Sequence, residues 1–247
     1  MKYPLPRLRK LCAVAVASAA LASTSGASAA TLGGITSGAL SGYSVAQASG
    51  APTVLVWDNF DGPNGQVLAG TGTNNSVPLT WTATGCAWTV SSNQAANAGT
   101  NSCALRVNAT PAFNRSSGTT LTRNGTAWDC GVILNSNAAM TQFISAEWTS
   151  NSNGSLEIWA YNGGWTNLVA LTNMYASPAA APASIDLRMT SQAGGVLRAY
   201  IDGVEVLTTT LSAANQTTFY NTSHTYFGIF GYFDATSRFN DFHLDTP

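Results

Sequence analysis

The chain has 247 residues, of which 45% are apolar and only 9% charged, far below the roughly 25% charge usual in soluble proteins. Its length allows one all-β domain of ordinary size plus extra segments. Its formal net charge of −1 leaves no electrostatic basis for binding nucleic acid.

Lys2, Arg7, Arg9 and Lys10 precede an apolar run from Leu11 to Ala22, and a small-residue stretch ends at Ala27-Ser28-Ala29. This order of basic, apolar and A-x-A segments predicts a secretory signal peptide, residues 1–29, cut after Ala29. The run is shorter than the ~20 residues that a membrane-spanning helix needs. Cys12 opens it rather than closing it, which argues against a lipid-attachment cysteine. Removing the leader leaves six arginines, no lysine and all eleven acids, a net charge of 6 − 11 = −5. Residues 30–50 are Gly, Ser, Ala and Thr without charge and read as a flexible lead-in. The rest, 51–247, is expected to be the folded domain of a secreted or cell-surface protein, monomeric and without a membrane span.

The domain reads as short strands. Thr53–Phe60 is the first, followed by the turn cluster Asp61-Gly62-Pro63-Asn64-Gly65. Trp81–Thr84, Ala87–Ser91, Cys103–Ala109 and Gly131–Asn135 follow, separated by Asn, Gly and Ser. Gln142–Asn162 reads as two strands and a polar turn, and Trp165–Thr172 as another strand. After the proline loop 177–183 come Ile185–Thr190 and Val196–Ile201. Asp202-Gly203 is a two-residue hairpin signal, and Val204–Thr210 returns from it. Leu211–Gln216 suits one helical turn; Tyr226–Phe233 and Arg238–Leu244 close the chain. No window carries a sustained 3.6-residue period, so the pattern predicts a sandwich or barrel of antiparallel strands.

Four segments resemble the concanavalin A-like lectin/glucanase superfamily, nearest to the laminin-G-like jelly rolls of secreted and surface proteins. They are Phe60–Gly65 (FDGPNG), Cys86–Asn93 (CAWTVSSN), Leu197–Glu205 (LRAYIDGVE) and Gly228–Gly231 with Arg238–Phe242 (GIFG, RFNDF). The resemblance spans roughly residues 53–245. It implies an antiparallel two-sheet jelly-roll β-sandwich, paired first and last strands, and a concave face for saccharides. Lectins, glycosidases, lyases and adhesion modules share that fold, so it does not by itself specify chemistry.

Three cysteines remain after the leader. An oxidising compartment favours one disulfide, with Cys86–Cys103 the first choice, Cys86–Cys130 an alternative, and a buried odd thiol.

Two of the chain's three glutamates, Glu147 and Glu157, lie in the 142–162 hairpin. If Ile144, Ala146 and Trp148 face the core with Leu156, Ile158 and Ala160, and Trp148 opposes Leu156, then Glu147 opposes Glu157. Opposed Cβ atoms sit ~4.5–5.5 Å apart. The carboxyls of a retaining glycosidase stand ~5–5.5 Å apart. If Asn153-Gly154 is instead a tight two-residue turn, Trp148 opposes Trp159 and the glutamates fall on opposite faces. The E-x-D-x-x-E strand of the superfamily's glucanases is absent, as are the lyase motifs, which argues against an enzyme.

Trp159, Tyr161 and Trp165, with Asn162 and Asn167, form an aromatic strip suited to stacking on sugar rings, whereas Trp57, Trp81, Trp88 and Trp128 suit the core or its rim. Asp58, Asp61, Asn64 and Asp241 are candidate oxygen ligands for a structural Ca²⁺; no other cofactor is implied. Asp241, His243 and Asp245 alternate along the last strand, while His224 beside Ser223 has no definable partner. The expected role is a non-catalytic saccharide-binding or surface-interaction module with a polysaccharide or glycan partner. A glycoside hydrolase using Glu147 and Glu157, and a structural surface protein without a small ligand, are the alternatives.

Overall fold

The structure, a computed structural model, describes residues 53–70, 80–99, 102–110, 114–232 and 235–246. All belong to one compact unit, Gln47–Pro247. The expected leader at 1–29 and the lead-in at 30–50 lie outside the described residues.

Among the described residues the strands, in chain order, are β1 (Thr53–Asp58), β2 (Trp81–Thr84), β3 (Trp88–Val90), β4 (Ala95–Asn97) and β5 (Cys103–Asn108). Next come β6 (Arg115–Thr122), β7 (Asp129–Ser136), β8 (Gln142–Thr149), β9 (Ser155–Asn162) and β10 (Trp165–Leu171). The series ends with β11 (Ser184–Ser191), β12 (Val196–Ile201), β13 (Val204–Thr210), helix α1 (Ala213–Phe219), β14 (Tyr226–Gly231) and β15 (Arg238–Thr246). They build two antiparallel sheets. The first runs β13-β12-β11-β6-β15-β4-β3, with β1 also paired to β15; the second runs β10-β9-β8-β7-β14-β5-β2. This is an all-β, antiparallel two-sheet jelly-roll sandwich, and its first and last strands pair, with Trp57 opposite His243.

Period-2 alternation builds the layer between the sheets. Ile185, Leu187 and Met189 from β11 and Phe239, Phe242 and Leu244 from β15 are buried from one side. Ile144, Ala146 and Trp148 from β8 and Leu156, Ile158 and Ala160 from β9 are buried from the other. Large rings close the ends: Trp81 packs against Phe60 and Phe242, and Trp128 lies 4.9 Å from Trp148 between ring centroids. Burying such aromatics contributes more per residue than any other side-chain type. Trp57 stays at the rim, half-buried.

The expected turns and strands match closely where apolar alternation is strong. Asp202 and Gly203 take φ of 50° and 78°, so both central positions of the β12–β13 turn are left-handed, as a type I′ turn requires. The helix begins two residues later than expected and ends three residues later. Ser212 caps it by accepting from the Asn215 amide, and Phe219 anchors it in the core. Strands β4 and β6 were not expected. The β6 sequence, RSSGTTLT, has one apolar residue, yet it lies between β11 and β15 in the middle of its sheet. Its inward Ser117 and Thr119 are fully buried, and Thr119 Oγ1 donates to the Asn240 carbonyl at 2.7 Å. Ser117 Oγ has no hydrogen-bond partner among the described residues, so the small size of these side chains and the backbone pairing to β11 and β15 on either side are what let the strand lie in the core.

Cys86 and Cys103 are joined, which resolves the pairing in favour of the first choice, and Cys130 is free and buried. The bridge ties the start of β5 to the turn after β2 across a sequence separation of 17. Closing a loop of that size contributes about 3 kcal/mol in the chain-entropy account. Replacing both cysteines with serine is therefore expected to lower unfolding free energy by about 2–4 kcal/mol in denaturant titrations; an unchanged midpoint would show that the bridge is not stabilising.

Candidate functional site

The β8–β9 hairpin adopts the register that opposes the two glutamates: Trp148 pairs with Leu156, Glu147 with Glu157 and Ser145 with Trp159. The tight Asn153-Gly154 turn does not form. The connection is a short 3-10 turn at Asn151–Asn153, with left-handed Ser152 and Asn153 followed by Gly154 at φ 88°. A Cβ at Gly154 would lie 2.3 Å from the Tyr175 ring, so the backbone conformation and a packed neighbour both demand glycine there.

With the apolar residues of β8 and β9 turned inward, the other face of the second sheet carries the polar and aromatic set. Its floor is a second apolar cluster of Ala104, Ile133, Phe143 and Phe230, with Met140, Tyr161 and Tyr232 packed on it. Trp165 meets Phe143, Tyr161, Trp159 and Tyr232 edge-on at centroid distances of 5.4, 5.0, 5.9 and 5.6 Å. Two cavities of about 250 Å³ each flank this knot and share Trp165 and Tyr232 as a common wall. One is apolar and aromatic, walled by Met140, Phe143, Tyr161 and Phe230. The other is acidic, walled by Asp129, Glu147, Glu157 and Trp159 with Thr149 and Asn151.

The two glutamates sit in different surroundings. Glu147 is only 6% exposed, and Ser145 Oγ donates to its Oε1 at 2.7 Å. Burial pushes its carboxyl up to about 8, and the neighbouring charges of Asp129 and Glu157 add to the rise while the Ser145 hydrogen bond opposes it. At neutral pH it holds a proton. Glu157 is half-buried and takes three donors: Ser155 Oγ at 2.7 Å, Trp159 Nε1 at 2.8 Å and Asn167 Nδ2 at 3.3 Å. The Trp159 hydrogen bond also fixes the orientation of its indole beside the acid. One face thus holds a proton donor directly opposite a multiply hydrogen-bonded acceptor, between aromatic walls.

Trp159, Tyr161 and Trp165 therefore come together, with Asn167 serving Glu157. Asn162 lines neither cavity; its Oδ1 accepts from Gln142 at the hairpin end. Asp129, Phe230 and Tyr232 were not anticipated as site residues. Asp129 shares alternation with Gly131, which pairs with Glu147, and starting β7 two residues earlier would have found it. Tyr232 follows β14, and its amide is held by the Asp129 carbonyl at 2.8 Å.

Three of the four candidate calcium ligands accept hydrogen bonds within the protein. Asp58 is fully buried, its oxygens accepting from the Phe60 amide and the Trp81 indole, each at 2.8 Å. Asp61 accepts from Asn59, and Asn64 from the Ser92 amide. Asp241 stands exposed at a register shift in β15, with φ 49°. Among the described residues no three His, Cys, Asp or Glu side chains converge as a metal site. On the outer face of the first sheet, His243 Nε2 lies 3.6 Å from Asp245, and its ring occupies the space that a side chain at Gly118 would need. His224 is buried against Phe219, with Nδ1 2.9 Å from Asn221 Oδ1 and Ser223 Oγ 3.2 Å away. An amide stands where a catalytic triad would need an acid.

No family model and no curated protein sequence matches the chain. Solved structures do. The carbohydrate-binding module CBM66 from Bacillus subtilis superposes with a TM-score of 0.53 at 12% identity, covering 67% of this chain and 94% of its own. A β-1,3-glucanase from Mycobacterium marinum gives 0.50 at 13% identity, covering 79% and 99%. The CBM2 module of the evolved Dit protein of Lactobacillus casei BL23 phage J-1 gives 0.50 at 12% identity, covering 79% and 96%. At such identities the likeness is one of fold.

The Glu147 proton has a measurable consequence. An unfolded glutamate titrates near 4.5 and the folded one near 8, so between those values the folded protein keeps a proton that the unfolded chain has lost. The associated stability is full below about pH 4.5 and declines by up to about 1.4 kcal/mol per pH unit through that window, levelling off above pH 8. Denaturation series from pH 5 to 9 on the wild type and Glu147→Gln should show this slope only in the wild type; equal slopes would contradict it.

Proposed function

We propose that this is an exported saccharide-binding protein whose binding face is the outward face of the second sheet. The observation that carries the reading is the paired-cavity groove, in which Trp159, Tyr161, Trp165 and Tyr232 form apolar walls beside Asp129, Glu147, Glu157 and Asn151. Sugar rings have apolar CH faces and polar edges, so they need this combination: aromatic surface for the rings and fixed acceptors and donors for the hydroxyls. The disulfide supports an oxidising, extracellular setting. Among the described residues no helix is long and apolar enough to cross a membrane. Two of the similar folds are named as carbohydrate-binding modules. Calorimetry with soluble polysaccharides is the test. Trp165→Ala and Trp159→Ala are each expected to weaken binding about tenfold or more, a loss of ~1.4 kcal/mol, while Trp57→Ala on the other sheet leaves it unchanged. Binding that survives both groove substitutions would remove the assignment, and no binding to any glycan would favour a structural surface role.

One observation favours a second reading, glycoside cleavage. Glu147 is a protonated acid directly across from Glu157, and opposed Cβ atoms ~4.5–5.5 Å apart suit the ~5–5.5 Å carboxyl spacing of retaining hydrolysis. Glu147 would protonate the leaving oxygen and Glu157 would attack the anomeric carbon; Glu147 would then deprotonate the water that releases the sugar. On this reading, reducing-end release from a bound polysaccharide falls at least about a hundredfold in Glu147→Gln and in Glu157→Gln. Bound glycan that stays intact with the wild type leaves the non-catalytic reading standing.

A further inference from the structure

The apolar cavity of the groove has a buried cation behind it. Arg106 on β5 is 1% exposed, and its terminal nitrogens donate to Ser136 Oγ, Thr84 Oγ1 and the carbonyls of Asn137 and Ala138 at 2.8–3.1 Å. Each of these acceptors is neutral, and among the described residues no carboxylate pairs with the guanidinium. The bonds to Asn137 and Ala138 tie down the β7–β8 connection, whose next residues, Ala139 and Met140, form one side of the cavity. The bond to Thr84 makes another side polar. Thr84 lines the cavity and its Oγ1 accepts from Arg106 Nη2 at 2.8 Å, while among the described residues its own O–H donates to no protein group. A hydroxyl that accepts a charge-assisted bond is polarised toward donating its proton. The rest of the wall is apolar, with Met140, Phe143 and Phe230, and no charged side chain lines it. A matching ligand group therefore carries a hydrogen-bond acceptor and an apolar end side by side. An acetyl group has both, in its carbonyl oxygen and its methyl. A sugar hydroxyl would meet Thr84 but leave the apolar wall uncovered. A carboxylate would set a full charge against Met140, Phe143 and Phe230, with the Arg106 guanidinium behind Thr84 rather than in contact with it. Trp165 lines both cavities, so a pyranose stacked on it has this cavity at its edge.

We propose that the apolar cavity seats the acetyl group of an acetylated sugar, with its carbonyl on the Thr84 hydroxyl and its methyl among Met140, Phe143 and Phe230. This rests on the saccharide-binding reading and specifies its ligand class. The test is calorimetry of the purified chain with two matched pairs and one charged control. The first pair is the N-acetylglucosamine hexamer and cellohexaose, which has hydroxyls in place of the acetamido groups. The second is xylohexaose with and without O-acetyl groups, and the control is the galacturonate hexamer. In at least one pair the acetylated member is expected to bind about tenfold or more tightly, and the pair that shows it tells an N-acetyl from an O-acetyl ligand. Thr84→Val keeps the shape and removes the donor, so it should cut that preference to about threefold or less, whereas Thr84→Ser should retain it. Trp165→Ala should weaken both members of the pair alike. If Thr84→Val does not fold, nuclear Overhauser contacts between the ligand acetyl methyl and the Met140 methyl in the wild type carry the same decision, and their absence overturns the proposal. Equal or tighter binding of the unacetylated member in both pairs overturns it while leaving saccharide binding intact. So does a preference that Thr84→Val leaves whole, or tightest binding by the galacturonate hexamer. Failure of every oligosaccharide to bind overturns the saccharide reading itself, and this proposal with it.

Discussion

The register of β8 on β9 is the constraint on which the site depends. Ile144, Ala146 and Trp148 must be buried together with Leu156, Ile158 and Ala160, and a one-residue slip of either strand would turn an apolar row to water. Burying those rows leaves one arrangement for the opposite face, where Glu147 meets Glu157 and Ser145 meets Trp159. The turn enforces the same answer locally. Gly154, held at positive φ under the Tyr175 ring, closes a connection too long for the alternative register. Core packing and turn geometry therefore agree, and the carboxyl pair follows from that agreement.

The pairing places an acid where the fold alone would not favour one. Glu147 is enclosed between Ser145, Gly131 and its own opposed glutamate, and burial keeps it protonated near neutrality. An unpaired, buried, charged carboxyl would cost several kcal/mol; taking up a proton lowers that cost, and the Ser145 hydroxyl bonds the group. A buried acid whose pKa is raised this far by its surroundings marks a candidate functional site. The aromatic knot around Trp165 has the complementary property. Trp165 is 38% exposed, yet its ring is held by four neighbouring rings, so a flat apolar surface is presented to solvent without being free to collapse. Preorganised surfaces of this kind bind with less ordering cost than flexible ones.

Legibility in the sequence followed the local signals. The β8–β9 and β12–β13 hairpins were readable because apolar alternation ran through both strands and, in the second, Asp202-Gly203 marked the turn. The middle of the first sheet was not: RSSGTTLT has no apolar row to read, and its burial rests on partners far away in sequence, such as Asn240. The groove divides in the same way. Glu147, Glu157, Trp159, Tyr161 and Trp165 are near neighbours in sequence, and alternation placed them on one face. Phe230 and Tyr232 join them only because β14 inserts between β7 and β5, a long-range pairing that no local pattern encodes, whereas Asp129 follows from the β7–β8 pairing once β7 begins at Asp129. The candidate calcium ligands depend on long-range partners as well. Asp58, Asp61 and Asn64 have suitable oxygens, but Asp58 turns inward to the indole of Trp81, 23 residues away, and the turn amides and Asn59 take the others.

The account centres on one face of one sheet, and the seven tryptophans report on it directly. Their indole N–H resonances can be followed by NMR while a bound oligosaccharide is titrated in. Shifts confined to Trp159 and Trp165, with Trp57, Trp81, Trp88, Trp128 and Trp148 unmoved, are the result this account predicts. A titration that moves Trp57 on the first sheet and leaves Trp159 and Trp165 in place would contradict it.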